Sequence, residues 1–130
     1  MDDATTYTVD QARALLPQVR ATLIQLAIER QRADAAHAAL HHRLEATTAG
    51  DGDRRQAELE RSTTELRARV RDLLDHLESL GVVVRDLGAG LVDFPTIRDG
   101  EEAWLCWRLD DPDLAWWHST SEGYASRRPL

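Results

Sequence analysis

Two runs of mainly apolar residues, each stepping alternately by three and four, restrict the fold of this chain more than any other feature. The first is Leu16, Val19, Leu23, Leu26, Arg30, Ala33, His37, Leu40 and Leu44. The second is Leu59, Thr63, Leu66, Val70, Leu73, Leu77 and Leu80. At about 3.6 residues per turn such positions form one stripe on a helix, the spacing of a coiled-coil seam. Between the runs lies TTAGDGD, residues 47–53, with the composition of a turn. Gly81 follows the second run as a helix-terminating glycine. The pattern predicts a long antiparallel helical hairpin over about residues 8–80, with arms on the order of 40 Å.

Thr8 and Gln11 are spaced as a capping box at the start of the first helix, with Tyr7 before the cap to staple onto Ala12. Pro17 then falls inside the helical pattern, so a kink or a short first helix ending near Leu16 is expected. Leu15, Ile24, Ile28 and Leu74 flank the seams and widen the apolar stripe beyond what one partner helix covers. A homodimer through that surplus is the expected consequence.

The tail, about residues 81–130, holds all four Trp, the only Cys, the only Phe, three of the four Pro and five of the seven Gly. Val82–Leu87 reads as a strand, Gly88-Ala89-Gly90 as a three-residue hairpin loop, and Leu91–Phe94 as the return strand ended by Pro95. Asp99-Gly100 marks a turn, Glu102–Leu109 alternates as a strand, and Leu114–His118 follows as a short fourth one. The fold class is therefore α+β, a coiled-coil-like hairpin packed with an antiparallel meander of three or four strands, in a single domain of 130 residues.

Candidate chemistry concentrates in that sheet. Asp93, Cys106, His118 and Glu122 make a chemically sensible set for a divalent metal such as zinc. Asp93, Trp107, Arg108, Trp117 and Arg127 are candidates for binding a protein partner or a small anionic ligand, because Trp and Arg anchor interfaces and guanidinium matches oxyanions. The structural alternative makes Asp93 and Arg108 a cross-strand ion pair, Cys106 a small buried apolar group and His118 a hydrogen-bonded neighbour of a Trp. A second stripe, Asp34, His37, His41 and Glu45, shares one helix face, with Glu58 and Glu65 on the other arm; di-iron bundles use comparable residues. No nucleophile elbow and no phosphate-cradling glycine loop precedes a helix.

A net charge of −7 argues against nucleic-acid binding over the whole surface. No apolar run reaches a membrane span, the N-terminus has no signal-peptide pattern, and one Cys excludes an internal disulfide. A cytoplasmic location is expected.

The blocks YTVDQARALLPQV, LGVVVRDLGAGLVDFP, LCWRLDDPDLAWWH and GYASRRPL together resemble the bacterial family called domain of unknown function 2203, over nearly the whole chain. The family pattern as we read it has an acidic residue three places after the His, where this chain has Ser121 and then Glu122. The resemblance implies a small bacterial cytoplasmic protein and supplies no reaction. The expectation is a non-enzymatic interaction or regulatory module, with a metal-binding protein or metal-dependent enzyme as the alternative.

Overall fold

The computed structural model describes residues 5–46 and 52–130. Helix α1 spans Val9–Glu45 and helix α2 spans Gly52–Ser79; strands β1 (Val83–Asp86), β2 (Leu91–Arg98), β3 (Glu101–Arg108), β4 (Trp116–Ser119) and β5 (Arg128–Pro129) follow. The protein is thus α+β, a helical hairpin followed by an antiparallel sheet. Most of the expected turn at residues 47–53 lies outside the described residues, as do residues 1–4. No helix among the described residues is long and apolar enough to cross a membrane.

The chain divides into two compact units, residues 25–74 and residues 1–24 with 75–130. In the first, Ala33 of α1 and Leu59 and Thr63 of α2 are buried. The buried stripe departs from the expected seam here. Glu29 is buried, while Arg30 and His37 are exposed. A straight helix drifts relative to a strict heptad, and the drift rotates the stripe by one position. Glu29 Oε1 accepts from Gln25 Nε2 at 2.9 Å and from Arg32 Nη1 at 3.1 Å. Arg69 of α2 lies 3.6 Å from the other oxygen.

The second unit contains the start of α1, the last turn of α2 and the sheet. The capping box forms: Thr8 N–H donates to Gln11 Oε1 at 2.9 Å and Gln11 N–H to Thr8 Oγ1 at 3.1 Å. Tyr7 turns to the sheet, its ring edge-on to Phe94 at 6.0 Å and its hydroxyl donating to the Leu80 carbonyl. The short first helix expected before Pro17 does not occur, because α1 continues through it. Pro17 is exposed, and Ala12, Leu16, Val19 and Leu23 on the opposite side are buried. That packing holds the helix through a residue whose interior cost is about 3 kcal/mol. At the other end Gly81 has φ +80°, with Gly81 N–H to Glu78 O at 2.9 Å and Val82 N–H to Leu77 O at 3.2 Å. This is the paired bonding of a Schellman C-cap.

The sheet order is β1-β2-β3-β4-β5. Pro95 does not end β2, which continues to Arg98. The Pro95 carbonyl accepts from Tyr7 N–H at 2.7 Å, so its backbone faces away from β3 and the missing N–H removes no bond of that ladder. Asp99 (φ 51°) and Gly100 (φ 81°) make the two-residue turn into β3, a left-handed pair that suits a twisted hairpin. The fifth strand adds to the expected three or four and pairs Arg128 with Trp117. Val92, Phe94, Ala103, Leu105 and Trp107 are buried on the side that meets the α1 residues of this unit, where Arg20 lies 4.9 Å above the Trp107 ring.

Candidate functional site

The opposite face of the sheet carries the polar centre. Asp93 and Cys106 are direct cross-strand partners, and His118 stands opposite Trp104, two residues from Cys106 along β3. Side chains alternate along a strand, so register alone puts all three on one face. Asp93 and Cys106 are each 1% exposed and His118 is 2% exposed. A carboxylate oxygen, Sγ and a ring nitrogen from the three lie within 4.8 Å of one another. They floor a pocket of about 310 Å³ whose wall includes Arg85, Thr120, Glu122 and Tyr124.

Proton bookkeeping constrains the His. His118 Nδ1 lies 2.8 Å from the Ser119 carbonyl, which only accepts, so Nδ1 carries the hydrogen. His118 Nε2 lies 3.0 Å from Asp93 Oδ2. A bare ring nitrogen and a carboxylate oxygen repel at that distance. Either a proton, carried by Nε2 or by Oδ2, or a cation must therefore stand between them. Arg85 Nε also donates to Oδ2, at 2.9 Å. Asp93 Oδ1, in contrast, is buried and meets no N–H or O–H donor among the described residues, while the Cys106 thiol hydrogen-bonds to the Asp93 carboxylate. A buried carboxylate oxygen left unpaired costs roughly 1–3 kcal/mol or more.

Burial pushes the Cys106 thiol up to about 11, and the nearby Asp93 charge adds to this while Arg127 opposes it. In the metal-free protein Cys106 is a neutral thiol and a poor nucleophile at neutral pH. A metal ion at this point would displace that proton.

The remaining predicted residues divide. Glu122 lines the pocket but is not among the three clustered groups; it accepts from Ser119 Oγ at 3.0 Å and pairs with Arg128 at 3.3 Å. The Ser119 hydrogen bond, with Arg128 nearby, holds its carboxyl below the usual range despite some desolvation. Arg108 does not pair with Asp93. Register sets it opposite Leu91, and its guanidinium meets Asp110 at 3.1 Å. Arg127 grips Asp111 with two bonds of 2.7 and 3.2 Å and lies 4.8 Å above Trp116. Trp107 is fully buried on the other face and offers a partner no surface. Trp117, half-buried, lies between Arg98 at 4.8 Å and Arg128 at 5.2 Å. On α1 the His41–Glu45 pair forms at 2.9 Å in the open, and among the described residues that stripe gathers no three metal-binding atoms.

Sequence reasoning passed over Arg85. It sits at an irregularity of the β1–β2 register between Val84 and Asp86, which alternation in the sequence does not reveal. Ser119 was missed as well, because its contribution is a backbone carbonyl.

The family model described as "Uncharacterized conserved protein (DUF2203)" matches residues 5–130. No curated protein and no solved structure matches.

Proposed function

We propose, for a chain that belongs to the DUF2203 family, that it is a metal-binding protein holding one transition-metal ion on Asp93, Cys106 and His118. The observation that carries this reading is the buried cluster itself, a carboxylate oxygen, a thiol sulfur and a ring nitrogen within 4.8 Å of one another, with Asp93 Oδ1 meeting no N–H or O–H donor among the described residues. The donor set of one carboxylate, one thiolate and one imidazole is borderline-soft and suits zinc or cobalt. Metal-bound His usually donates its other ring N–H to a carbonyl or carboxylate. His118 is already arranged so, with Nδ1–H on Ser119 O and Nε2 facing the cluster. A tetrahedral ion needs ligand atoms about 3.3–3.8 Å apart, so modest side-chain closure from the present spacing suffices. Three protein ligands leave a fourth position toward the pocket. A thiolate ligand suits a reducing compartment such as the cytoplasm.

The test is cobalt substitution in the full chain, read by absorption. The reading expects tetrahedral visible bands and a thiolate charge-transfer band, the latter lost in Cys106→Ser. Cobalt bound without the charge-transfer band would remove Cys106 from the site and defeat the reading.

A homodimer and an interaction role form a second reading. It is favoured by Ile28, 39% exposed, and Leu44, 49% exposed, on one helix. Light scattering at micromolar concentration tests it, and a strict monomer ends it.

A further inference from the structure

We infer that the pocket over Asp93, Cys106 and His118 binds a small oxyanion, a carboxylate or phosphate group, with Arg85 as its two-pronged donor. The inference rests on the metal reading for the open coordination position. Its own support is an account of which polar groups on the wall are already engaged.

The carboxylates are taken. Asp93 Oδ2 receives Arg85 Nε and faces His118 Nε2, and Oδ1 is assigned to the metal. Glu122 receives Ser119 and Arg128. The unengaged groups are donors. Arg85 is fixed at two places, through Nε on Asp93 and by its guanidinium 4.8 Å above the Trp104 ring. Its two terminal nitrogens have no protein partner among the described residues, and its side chain is 43% exposed. Tyr124 also lines the pocket. Its hydroxyl oxygen accepts weakly from Arg108 Nη1 and Arg127 Nη2, each at 3.4 Å, and its own proton has no acceptor among the described residues. A guanidinium fork whose position is set beforehand matches the paired oxygens of a carboxylate or phosphate. A metal cation beside it adds attraction of the same sign. At about 310 Å³ the space suits a small molecule and not a polymer segment.

The test titrates cobalt-loaded full-length protein with acetate and, separately, with inorganic phosphate at constant ionic strength, reading the visible cobalt bands. A saturable spectral change with acetate assigns a carboxylate; one with phosphate assigns a phosphate group. Arg85→Gln is expected to weaken that response by about tenfold or more, the scale of charge-assisted hydrogen bonds. Tyr124→Phe, which leaves all three ligand side chains and Arg85 in place, is expected to weaken it several-fold and carries the test should Arg85→Gln lose cobalt. No spectral response to either anion at about one cobalt per chain overturns the inference and leaves the metal reading standing. Wild-type affinity in both variants also overturns it. Failure to bind cobalt, seen before any anion is added, defeats the metal reading and the inference with it.

Discussion

Removing the Asp93 carboxylate should destabilise the metal-free protein far more than removing the His118 ring. Asp93 and His118 side chains are 1% and 3% exposed, so this pair is buried on both sides. With Nδ1–H given to Ser119, the 3.0 Å contact needs a hydrogen bond between Nε2 and Oδ2 when no metal is present. Asp93→Ala removes the shared acceptor of His118 and Arg85 from a buried site, and deleting one partner of a buried pair costs about 3–5 kcal/mol. Arg85 adds little to that cost, because its 43% exposed guanidinium returns to water. His118→Ala leaves Asp93 paired with Arg85 and should cost about 1–3 kcal/mol less. The double variant should be more stable than the sum of the singles by about 2 kcal/mol. Urea denaturation in chelator is the assay, and for a slope of ~1.5–2 kcal/mol/M the Asp93→Ala midpoint falls by about 2 M. Simple additivity, or a loss below about 1 kcal/mol for Asp93→Ala, would refute the charged pair.

Other consequences are more local. Gly90 has φ +65°, and a Cβ there would sit 2.6 Å from the Leu109 Cβ, so Gly90→Ala should cost about 2–4 kcal/mol by the same assay; a loss under 1 kcal/mol would contradict the close approach on that ~2–4 scale. Burial works to raise the Asp111 carboxyl, but the Arg127 hydrogen bonds and the Arg108 N–H outweigh it and hold it below its ordinary value. The folded state then binds fewer protons at Asp111, so its contribution is full above the ordinary carboxylate value and is lost as pH falls from there through the lowered folded-state value. Asp111→Asn should flatten that acid limb of a stability-versus-pH curve, and an unchanged slope would count against the pairing. Glu29→Leu replaces a buried carboxylate whose Oε2 has no hydrogen bond among the described residues, and should leave stability unchanged or raise it by about 1–4 kcal/mol; a lowered urea midpoint would give Glu29 a net stabilising role.

The helices were legible because their signals are local. Thr8 and Gln11 cap through contacts three residues apart, and Gly81 ends α2 with a positive φ and hydrogen bonds three to five residues back. The stripe beyond Leu26 was not, because Arg30 and Glu29 differ by one position and only packing selects between them. Asp93, Cys106 and His118 could be nominated from alternation and residue type. Their meeting depended on two strand registers, set by the turn at Asp99-Gly100 and by the irregular segment before β4. Pro95 misled because its effect depends on which side of the strand its nitrogen faces, a fact fixed by Tyr7 many residues away. Arg85 against Arg108 shows the same limit. Both are plausible partners for Asp93 by charge, and register decides between them.

Elemental analysis of protein purified without a metal-affinity tag tests the central claim most directly. The account predicts about one equivalent of zinc or a similar transition metal per chain, falling well below half in Cys106→Ser and in His118→Ala. Substoichiometric metal in the wild-type protein, persisting after incubation with zinc and removal of the excess, would contradict it and leave Arg85, Asp93 and His118 as a purely structural ion triad.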